Sequence, residues 1–154
     1  MLKQVYVIRS MSGQELLDAG FDLFEEHRDE LTTNKELMVL DPFLEGYSAL
    51  DEAGSLFILG AFGIGGDLIG YSVNIVATNL HYRGVLMCQN DLLFVTADHR
   101  GSTVGARLIR DTKAEAKARG CNLMLWHAKP GTDLDALMER RGVKVQDIIY
   151  SEVF

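Results

Sequence analysis

Residues 98–106, Asp-His-Arg-Gly-Ser-Thr-Val-Gly-Ala, stand between an apolar run ending in Leu93-Phe94-Val95 and a helical pattern at 104–119 that stops on Gly120. A strand that passes to a helix through small residues leaves several backbone N–H groups unpaired at the helix start. The positive end of the helix dipole lies behind them. Such a turn holds phosphate on main chain alone, and Arg100 supplies a charge-assisted donor beside it. An ordinary cap by Ser102 or Thr103 accounts for the same residues, so the turn by itself leaves both readings open. Arg107 also flanks the turn, whereas Arg110, Lys113, Lys117 and Arg119 read as the solvated face of the helix.

Other chemistry is easier to exclude. Cys88 and Cys121 are isolated in predicted strands and read as buried, reduced thiols, and no Cys/His cluster has zinc spacing, so no metal is expected. The net charge of −7 opposes nucleic-acid binding. It suits a neutral or cationic substrate paired with an anionic cofactor. The glycines of "GAFGIGGD" (60–67) lack the Lys-Ser/Thr ending of a phosphate loop, and no helix follows them. A dinucleotide-binding Rossmann unit fails as well, because the sheet reads as mostly antiparallel. Asp67, Asn74, Asn79 and Asp91 interrupt the apolar middle, so no membrane span is expected. The opening "MLKQVYVIRS" lacks a secretory pattern, and the expected location is cytoplasmic.

The elements that must position the turn follow from periodicity. "VYVI" (5–8) reads as a strand. Ser12 with Glu15 marks the start of a helix reaching about Arg28, with Leu16, Leu17, Phe21, Phe24 and Leu31 on its apolar stripe. A second helical segment covers 42–52, with Pro42 in its first turn. Strands at 55–62 and 68–77 form a hairpin around Gly65-Gly66-Asp67, and 85–95 is a third long strand. The helix at 104–119 turns Val104, Leu108, Thr112 and Ala116 inward. A buried strand at 122–127, a helix at 133–141 ended by Gly142, and a closing strand "VQDIIYSEVF" complete the order. This β-α-α-β-β-β-α-β-α-β succession predicts a mixed, mostly antiparallel α/β (α+β) sheet with helices on both faces. At 154 residues it fits one domain spanning 1–154, without repeat or linker.

The stretch "LFVTADHRGSTVGARLI" (93–109) resembles the cofactor motif of the GNAT superfamily of acetyltransferases. That motif runs from a hydrophobic-x-Val strand into Arg/Gln-x-x-Gly-x-Gly/Ala at a helix start. Arg100, Gly101, Ser102, Val104 and Gly105 fall in register; Thr103 stands at the usual middle glycine, and Ala97 at a frequent proline. "FGIGGDLIGY" is similar to the family's hairpin, and "LDALMERRGVKV" to its penultimate helix. "WHAKPGT" and "IIYSEV" are similar to the small acetyltransferases of tailed bacteriophages, which would place the protein in a host cytoplasm. The likeness covers about 55–154, and residues 1–54 correspond to the variable, substrate-side part.

The resemblance implies an acetyl-CoA-dependent N-acetyltransferase acting on a small-molecule or protein amine, with no nucleic-acid or membrane partner; a homodimer is compatible with it. It implies a strand at Leu93, Phe94 and Val95 that splays from its neighbour, so that main-chain groups near Leu93 and Val95 pair with the pantetheine arm. The amides from Gly101 through Ser102, Thr103, Val104 and Gly105 to Ala106 would hold the pyrophosphate, and an N–H near Val95 the developing oxyanion. The family's usual acid, a tyrosine, is replaced by Met138, and Gln89 stands where several relatives carry a base. Alternation puts Gln89, Asp91 and Leu93 on one strand face, provided no bulge intervenes. Asp91 is therefore the expected base or ammonium anchor. Tyr150 is a candidate acid and His127 a candidate relay, with His81 and Tyr82 behind them and Trp126 assigned to the core. Tyr47 and Glu26 are expected beside the acceptor. The alternative is a catalytically silent module that binds CoA or a host protein.

Overall fold

The computed structural model describes residues 5–154. The chain forms β1 (Tyr6–Met11), α1 (Gly13–Leu31), α2 (Leu44–Glu52), β2 (Leu56–Gly63), β3 (Leu68–Thr78), β4 (Leu86–Val95), α3 (Val104–Ala118), β5 (Leu123–Trp126) and α4 (Asp133–Arg140). The strands lie in the order β1-β2-β3-β4-β5. Each adjacent pair is antiparallel except β4 and β5, which run parallel. The mixed, mostly antiparallel sheet expected from the sequence is what the chain adopts.

Local chemistry sets the boundaries. Ser12 Oγ accepts from the Glu15 N–H at 3.1 Å and starts α1. The Glu15 carboxylate does not reach back to complete the reciprocal pair; it meets Arg9 at 2.6 Å on β1. The inner stripe of α1 is Gly13, Leu16, Gly20 and Phe24, while Phe21 is exposed. Gly20 takes the inner place because a Cβ there would come within 3.0 Å of Leu68. On α3 the expected inward residues Val104, Leu108, Thr112 and Ala116 are all buried, together with Ile109. Gly120 ends the segment with φ +86°, a conformation that favours glycine.

The sheet has two apolar faces. Leu16, Phe24, Ile58, Tyr71, Val73 and Phe94 pack on the side of α1 and α2. Phe57, Leu59, Ile69, Cys88, Val104 and Leu108 pack on the side of α3. Burial pushes the Cys88 thiol up to about 12, with Cys121 adding to the shift, and both cysteines are free.

The expected closing strand does not form. Residues 143–154 carry no regular structure, and Ile149 and Tyr150 are 82% and 87% exposed. The ladder of β5 covers only Leu123 to Trp126, a short edge on which to seat a ten-residue strand. Ile148-Ile149-Tyr150 is also a run rather than an alternation, so it presents no single apolar face to a sheet.

Candidate active site

The turn between β4 and α3 carries a row of main-chain donors. The N–H groups of Gly101, Ser102, Thr103, Gly105 and Ala106 meet no acceptor among the described residues. Thr103, the residue before α3, makes no side-chain cap; its hydroxyl bonds the Tyr6 hydroxyl at 2.6 Å instead. Ser102 Oγ donates to the His99 carbonyl at 2.5 Å and accepts from the Val104 N–H at 3.3 Å. The cap reading therefore accounts for one amide, that of Val104, and leaves the other five without an acceptor among the described residues.

Gly105 tests whether something must approach this turn. Its φ is not positive, and a Cβ built on it would meet only Val95 Cγ2, at an ordinary 3.8 Å. The fold does not require glycine here, although glycine costs a helix about 0.5–1 kcal/mol relative to alanine. The bare backbone leaves the turn open to a ligand from outside. A pyrophosphate on these amides fits that opening.

Arg100 does not join the row. Its guanidinium meets Glu30 at 2.6 Å, donates to the Val95 carbonyl at 2.9 Å and lies over the Phe94 ring. Glu26, one turn earlier on α1, accepts from the Ala97 N–H at 3.2 Å. Two carboxylates of α1 thus latch the end of β4, a tie that sequence spacing gave no means of finding. Arg107 lies over the Tyr6 ring, and its buried Nε has no partner among the described residues.

The strand before the turn opens into a fork. β4 pairs with β5 from Met87 to Asn90, where Asn90 faces Trp126, and the His127 N–H adds one longer bond to the Asn90 carbonyl at 3.4 Å. Beyond Asn90 the β5 side of β4 meets no strand among the described residues. On the other edge the Thr96 N–H donates to the Ile69 carbonyl, which directs the groups of Phe94 and Thr96 toward β3. The N–H and C=O of Leu93 and the N–H of Val95 therefore face the opening.

A bulge in β4 changes the expected alternation. Asn90 pairs with Asn74 and Leu92 with Val73, so Asp91 is the extra residue. Before it, Cys88 and Asn90 face α3; after it, Leu93 and Val95 do. Gln89, opposite Ile75, lies on the face of α1 and α2, and Leu93 lies on the other. The expectation that Gln89, Asp91 and Leu93 share one face is corrected at Leu93. Asp91 is exposed on the α2 side, close enough that its charge adds to burial in raising the Tyr47 phenol.

The face of α1 and α2 also holds a cavity of about 320 Å³ lined by Phe24, His27, Met38, Asp41, Tyr47 and Leu92, among others. His27, which the sequence reading passed over, stacks on Phe94 with centroids 4.8 Å apart and bonds the Tyr71 hydroxyl at 2.8 Å. Burial lowers its pKa to about 4; Lys129 and Arg100 add to the shift, and Glu30 opposes it. Burial also raises the Tyr71 phenol, so both rings stay neutral near pH 7.

The remaining candidates divide. His127 is exposed beside the fork, near Asp91 along the chain trace. Met138 is buried on α4 and Trp126 is half-buried. Tyr150 sits in the exposed terminal segment, away from any strand, so the sheet does not carry it to the fork. His81 and Tyr82 lie exposed in the loop before β4, on Asn79 Oδ1.

The forked strand thus leads, through amides without an acceptor among the described residues, into α3. The acetyltransferase (GNAT) family model matches residues 20–143. The chain belongs to the GNAT family. It is accordingly an acyltransferase, and enzymes of this family take acetyl-CoA as co-substrate. No curated relative matches the sequence. Among solved structures, this GNAT chain is similar to an aminoglycoside acetyltransferase from an uncultured soil metagenomic sample, at 17% identity and TM-score 0.76, covering 97% of this chain and 99% of that one. It is also similar to ribosomal-protein-alanine N-acetyltransferase from Brucella melitensis biovar Abortus 2308, with 19% identity, TM-score 0.73 and coverage of 97% and 99%. Glucosamine-6-phosphate N-acetyltransferase from Arabidopsis thaliana follows at 13% identity, TM-score 0.73 and coverage of 97% and 99%. At these identities the likeness concerns the fold.

Proposed function

We propose that this GNAT enzyme moves the acetyl group of acetyl-CoA directly to a primary amine that enters from the side of α1 and α2. The observation that carries the reading is two sets of N–H groups without an acceptor among the described residues: those of Leu93 and Val95 at the fork, and those of Gly101, Ser102, Thr103, Gly105 and Ala106 in the turn. Acetyl-CoA supplies a thioester, whose carbonyl carbon is open to attack by a neutral amine. The Leu93 groups pair with amides of the pantetheine arm as an added strand would. The Val95 N–H is the donor toward the carbonyl oxygen as charge develops there. The turn amides and Gly105 hold the pyrophosphate.

An amine with a lysine-like pKa of about 10 arrives mostly protonated near pH 7. Asp91, on the acceptor side of the bulge, draws the ammonium in and passes its proton to water, with His127 as the neighbouring relay. His27 and Tyr71, both neutral, shape the wall and do not act as a base. With Met138 in place of the family's tyrosine, the leaving thiolate takes its proton from solvent. The acceptors named for the three structural neighbours are an aminoglycoside, a ribosomal-protein alanine and an amino-sugar phosphate, which share an amine. Its setting is read as a cytoplasm, that of a bacterial host if the likeness to phage enzymes holds.

The test begins with binding. Acetyl-CoA at a hundredfold excess over its dissociation constant should add about 2.7 kcal/mol of stability and raise the melting temperature by several degrees. Gly105→Val should fold and lose that shift, since the new side chain meets only Val95 inside the protein but occupies the ligand's path. A variant that binds normally would reduce the turn to a helix cap. A panel of amine acceptors assayed for free CoA then separates the enzyme from a binding module, because binding without turnover on any amine would favour the latter.

A further inference from the structure

Asn90 is the last β4 residue paired with β5 and stands immediately before the bulged Asp91. Its side chain is fully buried on the face of α3, in a polar column with Ser72, Asn74 and Thr112. The Asn90 amide nitrogen donates to Asn74 Oδ1 at 2.9 Å, Ser72 Oγ at 3.1 Å and the Leu92 carbonyl at 3.2 Å, with the Val73 carbonyl at 3.5 Å. Asn74 Oδ1 and the two carbonyls only accept, so turning the amide over would set oxygen against oxygen. The orientation is fixed by its surroundings. It leaves Asn90 Oδ1 buried with no partner among the described residues. A leucine here would leave Asn74 Oδ1 and the Leu92 carbonyl without this donor, so the contribution of the asparagine lies in its NH₂ group.

We propose that Asn90 is a positioning residue for acetyl transfer. One NH₂ group ties β3, at Ser72 and Asn74, to the Leu92 carbonyl on the far side of Asp91, and so spans the bulge. Without the tie β4 can lose its extra residue, and the one-residue slip that follows exchanges what faces each way along the strand beyond Asn90. Such a slip would turn the groups of Leu93 and Val95 toward β3 and offer those of Phe94 to the fork. Asp91, then opposite Val73, would stay on the face of α1 and α2. The clamp therefore sets which main-chain groups meet acetyl-CoA opposite the carboxylate that awaits the amine.

This inference rests on acetyl-CoA occupying the fork as proposed above. Its test compares Asn90→Ala with Thr112→Val, which cuts the same column at its other end, where Thr112 bonds Ser72 at 2.8 Å. Displacing reacting groups by an ångström costs on the order of a hundredfold in rate, so kcat of Asn90→Ala should fall by about that factor. Thr112→Val should stay near the wild-type kcat even if its melting temperature falls as far. Equal losses in the two variants, or no loss in Asn90→Ala, would overturn the inference. If Asn90→Ala does not fold, the wild-type Asn90 side-chain amide signals decide. They should exchange slowly and shift when a thioether analogue of acetyl-CoA saturates the protein, and signals that stay put would overturn the role. A wild-type protein that binds no acetyl-CoA in calorimetry would remove both this inference and the function it rests on. Normal wild-type binding with an undiminished Asn90→Ala removes this one alone.

Discussion

Lowering the pH should weaken the fold through His27. The ring lies between Phe94, stacked at 4.8 Å, and the Tyr71 hydroxyl at 2.8 Å, with little water to solvate a charge. With the ring neutral and Nδ1 unprotonated, the Tyr71 hydroxyl donates to it. Protonation makes Nδ1 a donor and forces the hydroxyl to turn. The folded-state pKa is about 4 against an ordinary 6.5, a depression of about 2.5 units caused first by burial. The unfolded chain therefore takes up this proton first as the pH falls. Stability is fully present above about pH 6.5, declines through the window below it, and has lost the whole contribution below about pH 4. At 1.36 kcal/mol per unit the loss reaches about 3.4 kcal/mol, which solvent screening of an incompletely buried ring trims to about 2–3 kcal/mol. The assay is urea unfolding at half-unit steps from pH 4 to 7.5, for wild type and for His27→Asn, whose amide oxygen can still accept from Tyr71. The wild-type curve should fall away from the variant's by that amount across the window. Parallel curves would show that His27 titrates as it does in the unfolded chain, and the account of a desolvated ring on Phe94 would be wrong.

Two predictions concern the chemistry. Asp91→Asn keeps the shape of the bulge and removes the charge; acyl transfer should drop by about two orders of magnitude while acetyl-CoA affinity, read by calorimetry, stays nearly constant. A fall in affinity with rate preserved would make Asp91 a structural residue of the bulge. Tyr150→Phe should leave kcat unchanged, because that side chain is 87% exposed in the terminal segment. A tenfold loss would return the tyrosine to the fork and imply that the segment closes over it during turnover.

Much of the fold was legible because its helices bury one regular stripe. On α3 the residues at 104, 108, 112 and 116 differ by one turn each, and all four are buried. Ser12 identified the start of α1 through a hydrogen bond that depends only on local spacing. Phe21 and the closing strand failed for a related reason: both readings took apolar character as a sign of burial. At α1 the inner place is held by Gly20, where a Cβ would crowd the Leu68 side chain at 3.0 Å. At 143–154 the apolar residues form no face that a four-residue strand could pair.

The site was legible where it is made of backbone and obscure where it is made of side chains. A turn of small residues before a helix announces free amides, whatever the tertiary structure, and of those from Gly101 to Ala106 all but that of Val104 lack an acceptor among the described residues. Arg100 was a different matter, since a cation beside that turn can serve an anion or a carboxylate, and only the placement of Glu30 on α1 decides between them. The bulge at Asp91 has no local signature either, because Asn90, Asp91 and Leu92 would fit an unbroken strand. The bonds beside it reach across the sheet, to Asn74 and Ser72, which take the Asn90 amide from 16 and 18 residues away in sequence. The same shift that defeats alternation leaves Leu93 on the α3 face, its main chain toward the opening, while Asp91 stays with Tyr47 on the other. A β4 in perfect register would put Asp91 and Leu93 on one face. The main-chain groups of Leu93 and Val95 would then turn toward β3, and the opening would present those of Phe94 instead.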